Sequence, residues 1–382
     1  MVAMIVGVGW MILKGKLKFS PIRLGLYCVF VALCLISQVL VGSIGSFPSI
    51  IELFLLTGYM TLSVELPENA YLQMLNRFSK LMLIPALIML CQYGVQKITG
   101  QRDPISMDQW VGSPETSQIL YHGYFYEAAY PLWTSSFTRP NGFFFLEPSF
   151  ASMFTATAGI IEVMYFRRTF FLVLMMSATV LSFGGTGMTM FLVAAPFLLT
   201  RQNPRFIIGC LVVAVMGLGT AYALNIPVPL IDRLGELQTT QSSGASRVTV
   251  PANQLVTLMF DHTHIVGGTG AGATSDDATT FGNAWPILKL INEYGLLAML
   301  SFIALYATSL SGNDRNNVAL KVALTIIYQF TGGYLLSPVM LELVVFLCCF
   351  IKPIPAMVDD PSNLVILNTR PKTNRLLLAS PM

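Results

Sequence analysis

The sequence predicts an all-α integral membrane protein of about eleven transmembrane helices with two larger loops on the outer side. Three observations predict it. Hydrophobic residues make up 54% of the chain and charged residues only 11%, against about 25% charged in soluble domains. Apolar runs of spanning or near-spanning length recur along the chain. Basic residues concentrate in alternate connecting segments, as the positive-inside rule requires. So few charges cannot clothe a water-facing surface, whereas a lipid-facing surface needs almost none. The net charge of +3 is too small to point to nucleic acid.

A spanning helix needs about 20 apolar residues. The candidate spans are 2–13, 24–46, 49–64, 81–97, 147–165, 169–183, 187–200, 206–224, 285–308, 319–336 and 339–356. The first run is short and is followed by Lys14, Lys16 and Lys18. It reads either as a signal-like segment or as a short first helix. The stretch 169–200 is broken by Phe183-Gly184-Gly185-Thr186-Gly187. Glycine at that density favours a tight turn between two short or tilted helices, with one interrupted helix as the alternative. Cys28, Cys34, Cys91, Cys210, Cys348 and Cys349 all lie in apolar runs. They read as small buried hydrophobes, and the long loops hold no disulfide framework.

Orientation follows from charge. With segment 14–23 in the cytoplasm, strict alternation puts sixteen of the 22 basic residues on that side: Lys14, Lys16, Lys18, Arg23, Arg77, Lys80, Arg167, Arg168, Arg201, Arg205, Arg315, Lys321, Lys352, Arg370, Lys372 and Arg375. Lys97, Arg102, Arg139, Arg233, Arg247 and Lys289 fall on the outer half. The chain is then one polytopic domain over 1–382, with outer loops at about 98–146 and 225–284 and a cytoplasmic tail at about 357–382. The first loop carries Trp110, Tyr121, Tyr124, Tyr126, Tyr130 and Trp133. Such aromatics anchor at the membrane interface or stack on sugar rings. The second holds Gly267-Gly268-Thr269-Gly270-Ala271-Gly272, which lacks the Gly-Lys-Ser/Thr ending of a phosphate loop.

Three segments could carry chemistry. In Arg139-Pro140-Asn141-Gly142-Phe143-Phe144-Phe145-Leu146-Glu147-Pro148, Pro148 suits the first position of a helix. Glu147 would then cap that helix over its positive end; an ordinary cap with a snorkelling arginine is the plainer reading. The turn with Gly184, Gly185 and Gly187 offers backbone N–H groups of a kind that bind anions, or is simply a tight turn. Arg233 and Arg247 stand 14 residues apart beside the membrane, and arginine grips phosphate oxygens in a fork; solvated surface charge is their plainer reading. His262 and His264 lack a third and fourth ligand at zinc spacing, so no metal is expected. Glu52, Glu162, Glu293 and Glu342 fall in or near spans, where an acid is a functional candidate. By the charge-derived topology Arg139, Glu147, the glycine turn, Arg233 and Arg247 converge on the outer face, as a site for an anionic, lipid-borne substrate would.

In four places the chain resembles the Wzy-type polysaccharide polymerases of the O-antigen polymerase and ligase superfamily, with the colanic-acid and exopolysaccharide polymerases nearest in kind. These are Arg139 to Phe150, Leu181 to Thr189, Arg233-Leu234-Gly235-Glu236-Leu237 followed by Ser243 to Arg247, and Gly267 to Gly272. The likeness spans about residues 130–300. It implies a bacterial inner-membrane enzyme that acts on undecaprenyl-diphosphate-linked glycan by glycosyl transfer, without cofactor or metal. A flippase and a chain-length regulator are its implied partners, besides membrane lipid. On that reading Arg139, Arg233, Arg247, Gly184, Gly185 and Gly187 bind the diphosphate. Glu147 is the first choice for the base, with His262 and His264 behind it. The ligases of the superfamily place a His-Asn pair where this chain has Phe281-Gly282-Asn283, which counts against a ligase. A flippase or secondary transporter is the reading from a different class.

Overall fold

A computed structural model describes residues 9–10, 12–15, 17–42, 46–100, 105, 139–145, 147–201, 252–253, 256–257, 260, 262–273, 285–311, 317–331, 347–348 and 351–354. These are mostly helical. Four helices are long and apolar enough to cross a membrane: α1 (Pro21–Val41), α3 (Glu68–Thr99), α4 (Pro148–Ile161, extended by a π turn to Phe166) and α8 (Pro286–Leu310). Shorter apolar helices are α2 (Phe47–Gly58), α5 (Thr169–Leu181), α6 (Gly185–Arg201) and α9 (Val318–Thr331), and α7 (His262–Gly267) is a short one beside α8. Candidate span 206–224, most of both expected loops and the expected tail lie outside the described residues.

Local chemistry sets the helix ends. Pro21 and Pro148 each open a helix, where the missing N–H costs nothing. Gly42 and Gly100 end α1 and α3 in the left-handed conformation, which glycine adopts without a Cβ penalty. Stretch 169–200 folds as two separate helices, α5 and α6.

The structure differs from the all-α expectation at one end of the bundle. The apolar run 49–64 does not stay helical. It leaves α2 through a single 3-10 turn, Tyr59–Thr61, and continues as strand β2 (Leu62–Pro67). Strand β2 pairs antiparallel with β1 (Lys18–Phe19) and parallel with β3 (Ile351–Ile354), which lies in candidate span 339–356. Candidate span 81–97 is the far part of α3, a 32-residue helix. At 1.5 Å per residue α3 is about 48 Å long, well beyond a hydrocarbon core of about 30 Å. Its polar first part therefore has room outside one.

The helices alternate in direction, and long-range hydrogen bonds sort their ends into two sets. At the sheet end, the buried guanidinium of Arg23 donates to the carbonyls of Met60 (3.4 Å), Leu62 (3.3 Å) and Ser309 (3.0 Å). There, too, Asn317 donates to Tyr71 and accepts from Tyr165. Glu162, fully buried, accepts from Ser79 and from Nε and Nη2 of Arg168, whose Nη1 reaches Asn76 at 2.8 Å. The Arg168 guanidinium also lies over the rings of Phe166 and Phe171. A buried carboxylate is tolerated only when paired and bonded in this way; Glu162 thus has a structural role. The opposite end carries all of the expected site that the structure describes.

Candidate functional site

At the far end of α3, Gln92 holds a hairpin in place. Its Oε1 accepts from the N–H of Gly142 (3.0 Å), and its Nε2 donates to Asn141 Oδ1 (3.2 Å) and to the Ile105 carbonyl (2.6 Å). Asn141 closes the hairpin on itself. Its Oδ1 also accepts from the Phe143 N–H (3.1 Å), and its Nδ2 donates to the Phe145 carbonyl (2.9 Å). Gly142 has φ +71° and sits so close to α3 that a Cβ would lie 3.0 Å from the Pro85 Cβ and 3.1 Å from its carbonyl oxygen. A side chain there would lift the hairpin away. The motif around Arg139 is therefore a docked element, with Arg139 half-buried at its start and Phe144 exposed at its tip.

Glu147 occupies the N-cap position of α4, as expected, but its carboxylate makes no capping bond. It accepts instead from the Ser149 hydroxyl, at 2.6 Å. Half-buried at the mouth of the helix, it keeps acceptor capacity for a donor from outside.

One turn along α4, Ser152 ties the glycine turn to this helix. Its hydroxyl donates to the Gly184 carbonyl (2.9 Å) and accepts from the Gly187 N–H (3.0 Å). The Gly184 N–H donates to the Ser182 hydroxyl (3.1 Å). Two of the three glycines expected to offer N–H groups to an anion have thus spent them inside the protein. Their requirement is steric: a Cβ on Gly184 would sit 2.6 Å from Ser152 Cβ, and one on Gly187 would meet Ser152 and Thr179. Gly185 differs. It is exposed, it opens α6, and a Cβ there meets nothing within 4 Å. The free N–H groups of a first helical turn at Gly185 are what remains for an anion.

The Gly-rich segment 267–272 docks against a break in α8. Gly295 has φ +83° and ψ 172°, so α8 is two helices that meet at a kink. The carbonyls that the break releases are taken up. The Asn292 carbonyl accepts from the N–H (2.6 Å) and hydroxyl (2.8 Å) of Thr269. The Glu293 carbonyl accepts from the Gly270 N–H (3.2 Å) and from Gln38 Nε2 (3.4 Å). Gln38 Oε1 accepts from the Ala271 N–H (2.8 Å), and Ser37 of α1 donates to the Gly267 carbonyl (2.5 Å). The segment is a plug for a broken helix.

The structure brings Glu147 and the 184–187 turn to the mouth of α4, and docks the hairpin that begins at Arg139 on the neighbouring α3. His262 and His264 lie on α7 beside α8. Arg233 and Arg247 lie outside the described residues, as does Glu342. Gln92 and Ser152 fasten the site but carry no sequence motif, because their partners are 32 to 50 residues away. Among the described residues no cluster of three His, Cys, Asp or Glu side chains could hold a metal ion. No family model, curated protein or solved structure matches the chain.

Proposed function

We propose that the protein is a polymerase of lipid-diphosphate-linked oligosaccharide repeat units, working at the outer face of a bacterial inner membrane on undecaprenyl-diphosphate-linked glycan. One observation carries the reading: the segment 139–148 and the turn 184–187, distant in sequence, are built onto the same end of α4. Glu147 and the start of α6 at Gly185 share that helix mouth, and the hairpin that begins at Arg139 docks on the adjoining α3, at the end of the bundle opposite the sheet. A cation, a carboxylate and unspent backbone donors at a membrane-facing mouth suit a diphosphate that leaves and a hydroxyl that attacks.

In the reaction, a terminal-sugar hydroxyl of a new repeat unit attacks the anomeric carbon of the growing chain. The bond from that carbon to the diphosphate oxygen breaks, and undecaprenyl diphosphate departs with the electron pair. Arg139, joined by Arg233 and Arg247 from the second loop, neutralises the charge that builds on the diphosphate. Neither nucleotide nor metal takes part.

The test is purified protein with a synthetic lipid-diphosphate repeat unit, assayed for polymer in the presence of a chelator and without nucleotide. Arg139→Ala and Arg233→Ala should each abolish polymer at unchanged protein level. Normal chain length and yield in both would refute the arginine role. A transporter is the second reading, and the break in α8 favours it, because interrupted helices mark the substrate sites of many carriers. A deletion strain separates the two. Loss of a polymerase accumulates single lipid-linked repeats on the outer leaflet, and loss of a flippase traps them on the cytoplasmic one.

A further inference from the structure

The first half of α8 is unusual for a membrane helix. From Leu288 to Gly295 every residue is buried, although the stretch holds Lys289, Asn292 and Glu293. Beyond the break, Leu297, Leu300 and Ile303 are exposed in the ordinary lipid-facing way. The first half is therefore enclosed on all sides, by α1, α7 and the Gly-rich plug among others. Glu293 is 7% exposed and lies one turn after Lys289. At 1.5 Å per residue it stands about 10 Å below Pro286, at the mouth end. The Tyr294 hydroxyl, in a residue only 2% exposed, has no hydrogen-bond partner among the described residues. The Asn292 and Glu293 carbonyls before the break both have donors. An acid, a base and an unsatisfied hydroxyl enclosed together form a place built for a polar guest.

We infer that this enclosed half-helix receives the acceptor sugar, and that Glu293, rather than Glu147, takes the proton from the attacking hydroxyl. The inference rests on the polymerase reading. As the hydroxyl oxygen bonds to the anomeric carbon, its proton passes to the Glu293 carboxylate and from there to solvent. The electron pair of the broken bond leaves with the diphosphate. Tyr294 supplies a hydrogen bond to a neighbouring sugar hydroxyl. Lys289 sets an opposite charge one turn before Glu293, and Glu147 stays with the diphosphate end of the site.

The experiment measures polymerisation kinetics of the purified full chain with the synthetic lipid-diphosphate repeat unit. General-base removal typically costs about 10²–10⁴-fold. Glu293→Gln should lose at least about 100-fold in kcat with KM within about threefold, and Glu293→Asp should recover about tenfold of that loss. Tyr294→Phe should mainly raise KM. Because Glu293→Gln removes a negative charge that acts on the buried Lys289, Lys289→Met with Glu293→Gln is the companion variant. It should unfold with the wild type and still be inactive. A wild type that polymerises alongside a Glu293→Gln protein within threefold of its rate overturns this inference alone. So does a double variant that regains activity. A wild type that makes no polymer overturns the parent reading, and this one with it.

Discussion

Replacing Gly295 by alanine tests whether the break in α8 and its plug are one structural unit. At φ +83° and ψ 172° the residue sits in a region that is essentially closed to side chains, and strain there costs about 1–3 kcal/mol. The new Cβ would fall on the carbonyl oxygen of Val266, 2.7 Å from its carbonyl carbon and 3.3 Å from that of Gly267. All three are backbone atoms and cannot rotate away. Forcing them apart adds the ~1–3 kcal/mol typical of overpacking. It also strains the bonds from Thr269 to Asn292 and from Gly270 to Glu293, each worth about 1 kcal/mol net. Together the loss is about 4–8 kcal/mol, which lowers the apparent Tm by roughly 5–10 °C for a chain of this length. Thermal unfolding of purified protein in detergent reads it. Gly94→Ala is the control: it sits inside α3 with nothing within 4 Å of a new Cβ, so it should be neutral or gain up to about 1 kcal/mol. Gly268→Ala, whose Cβ would lie 2.6 Å from the Glu293 carbonyl, pushes the same two surfaces apart, so its loss should not add to that of Gly295→Ala. A Gly295→Ala protein that unfolds with the Gly94→Ala control would refute the docked plug.

Three further outcomes follow from the same geometry. Gln92→Ala strands the Gly142 N–H, at a cost of about 1–3 kcal/mol; limited proteolysis should cut near the exposed Phe144 faster than in wild type, and polymer yield should fall with it. Arg168→Met removes the ion-pair partner of Glu162, which has no exposure, and should cost about 3–5 kcal/mol, whereas the Glu162→Gln, Arg168→Met pair recovers most of it; a double-mutant cycle in chemical unfolding checks the coupling. In a background without cysteines, Phe144→Cys should react with an impermeant maleimide added to intact spheroplasts. Ser311→Cys should react only after permeabilisation, and labelling of both from the same side would remove the alternating topology.

Much of this was legible in the sequence for a physical reason. Hydropathy survives without any tertiary information, so the four helices long and apolar enough to cross a membrane could be read directly. Glu147 before Pro148, and the density of glycine at 184–187, are local signals of a helix start and a turn. The strand at Leu62–Pro67 was not legible, because it continues the apolar run of α2 and its partners lie more than 40 residues before it and nearly 290 after it. An apolar run has the same look in a buried strand as in a helix. The first turns of α3 were hidden by Glu68, Asn69, Asn76, Arg77 and Lys80. Hydropathy finds the apolar part of a helix and not its end. Gly295 sits in an ordinary apolar stretch, where a lone glycine is tolerated in a helix. Only the approach of Val266 shows why it must be glycine.

The two glycine-rich segments show how differently the same residue can serve. At 184–187 glycine lets α6 approach Ser152, and the resulting turn is locked by a side chain that both donates and accepts. At 267–272 glycine lets a loop enter a broken helix and supply the donors that its own chain no longer provides. In a region without water, an unpaired backbone carbonyl costs several kcal/mol, so the plug cannot withdraw unless another donor replaces it. Glu293 and Tyr294 lie in the turn that ends at the break, and Lys289 lies one turn before Glu293.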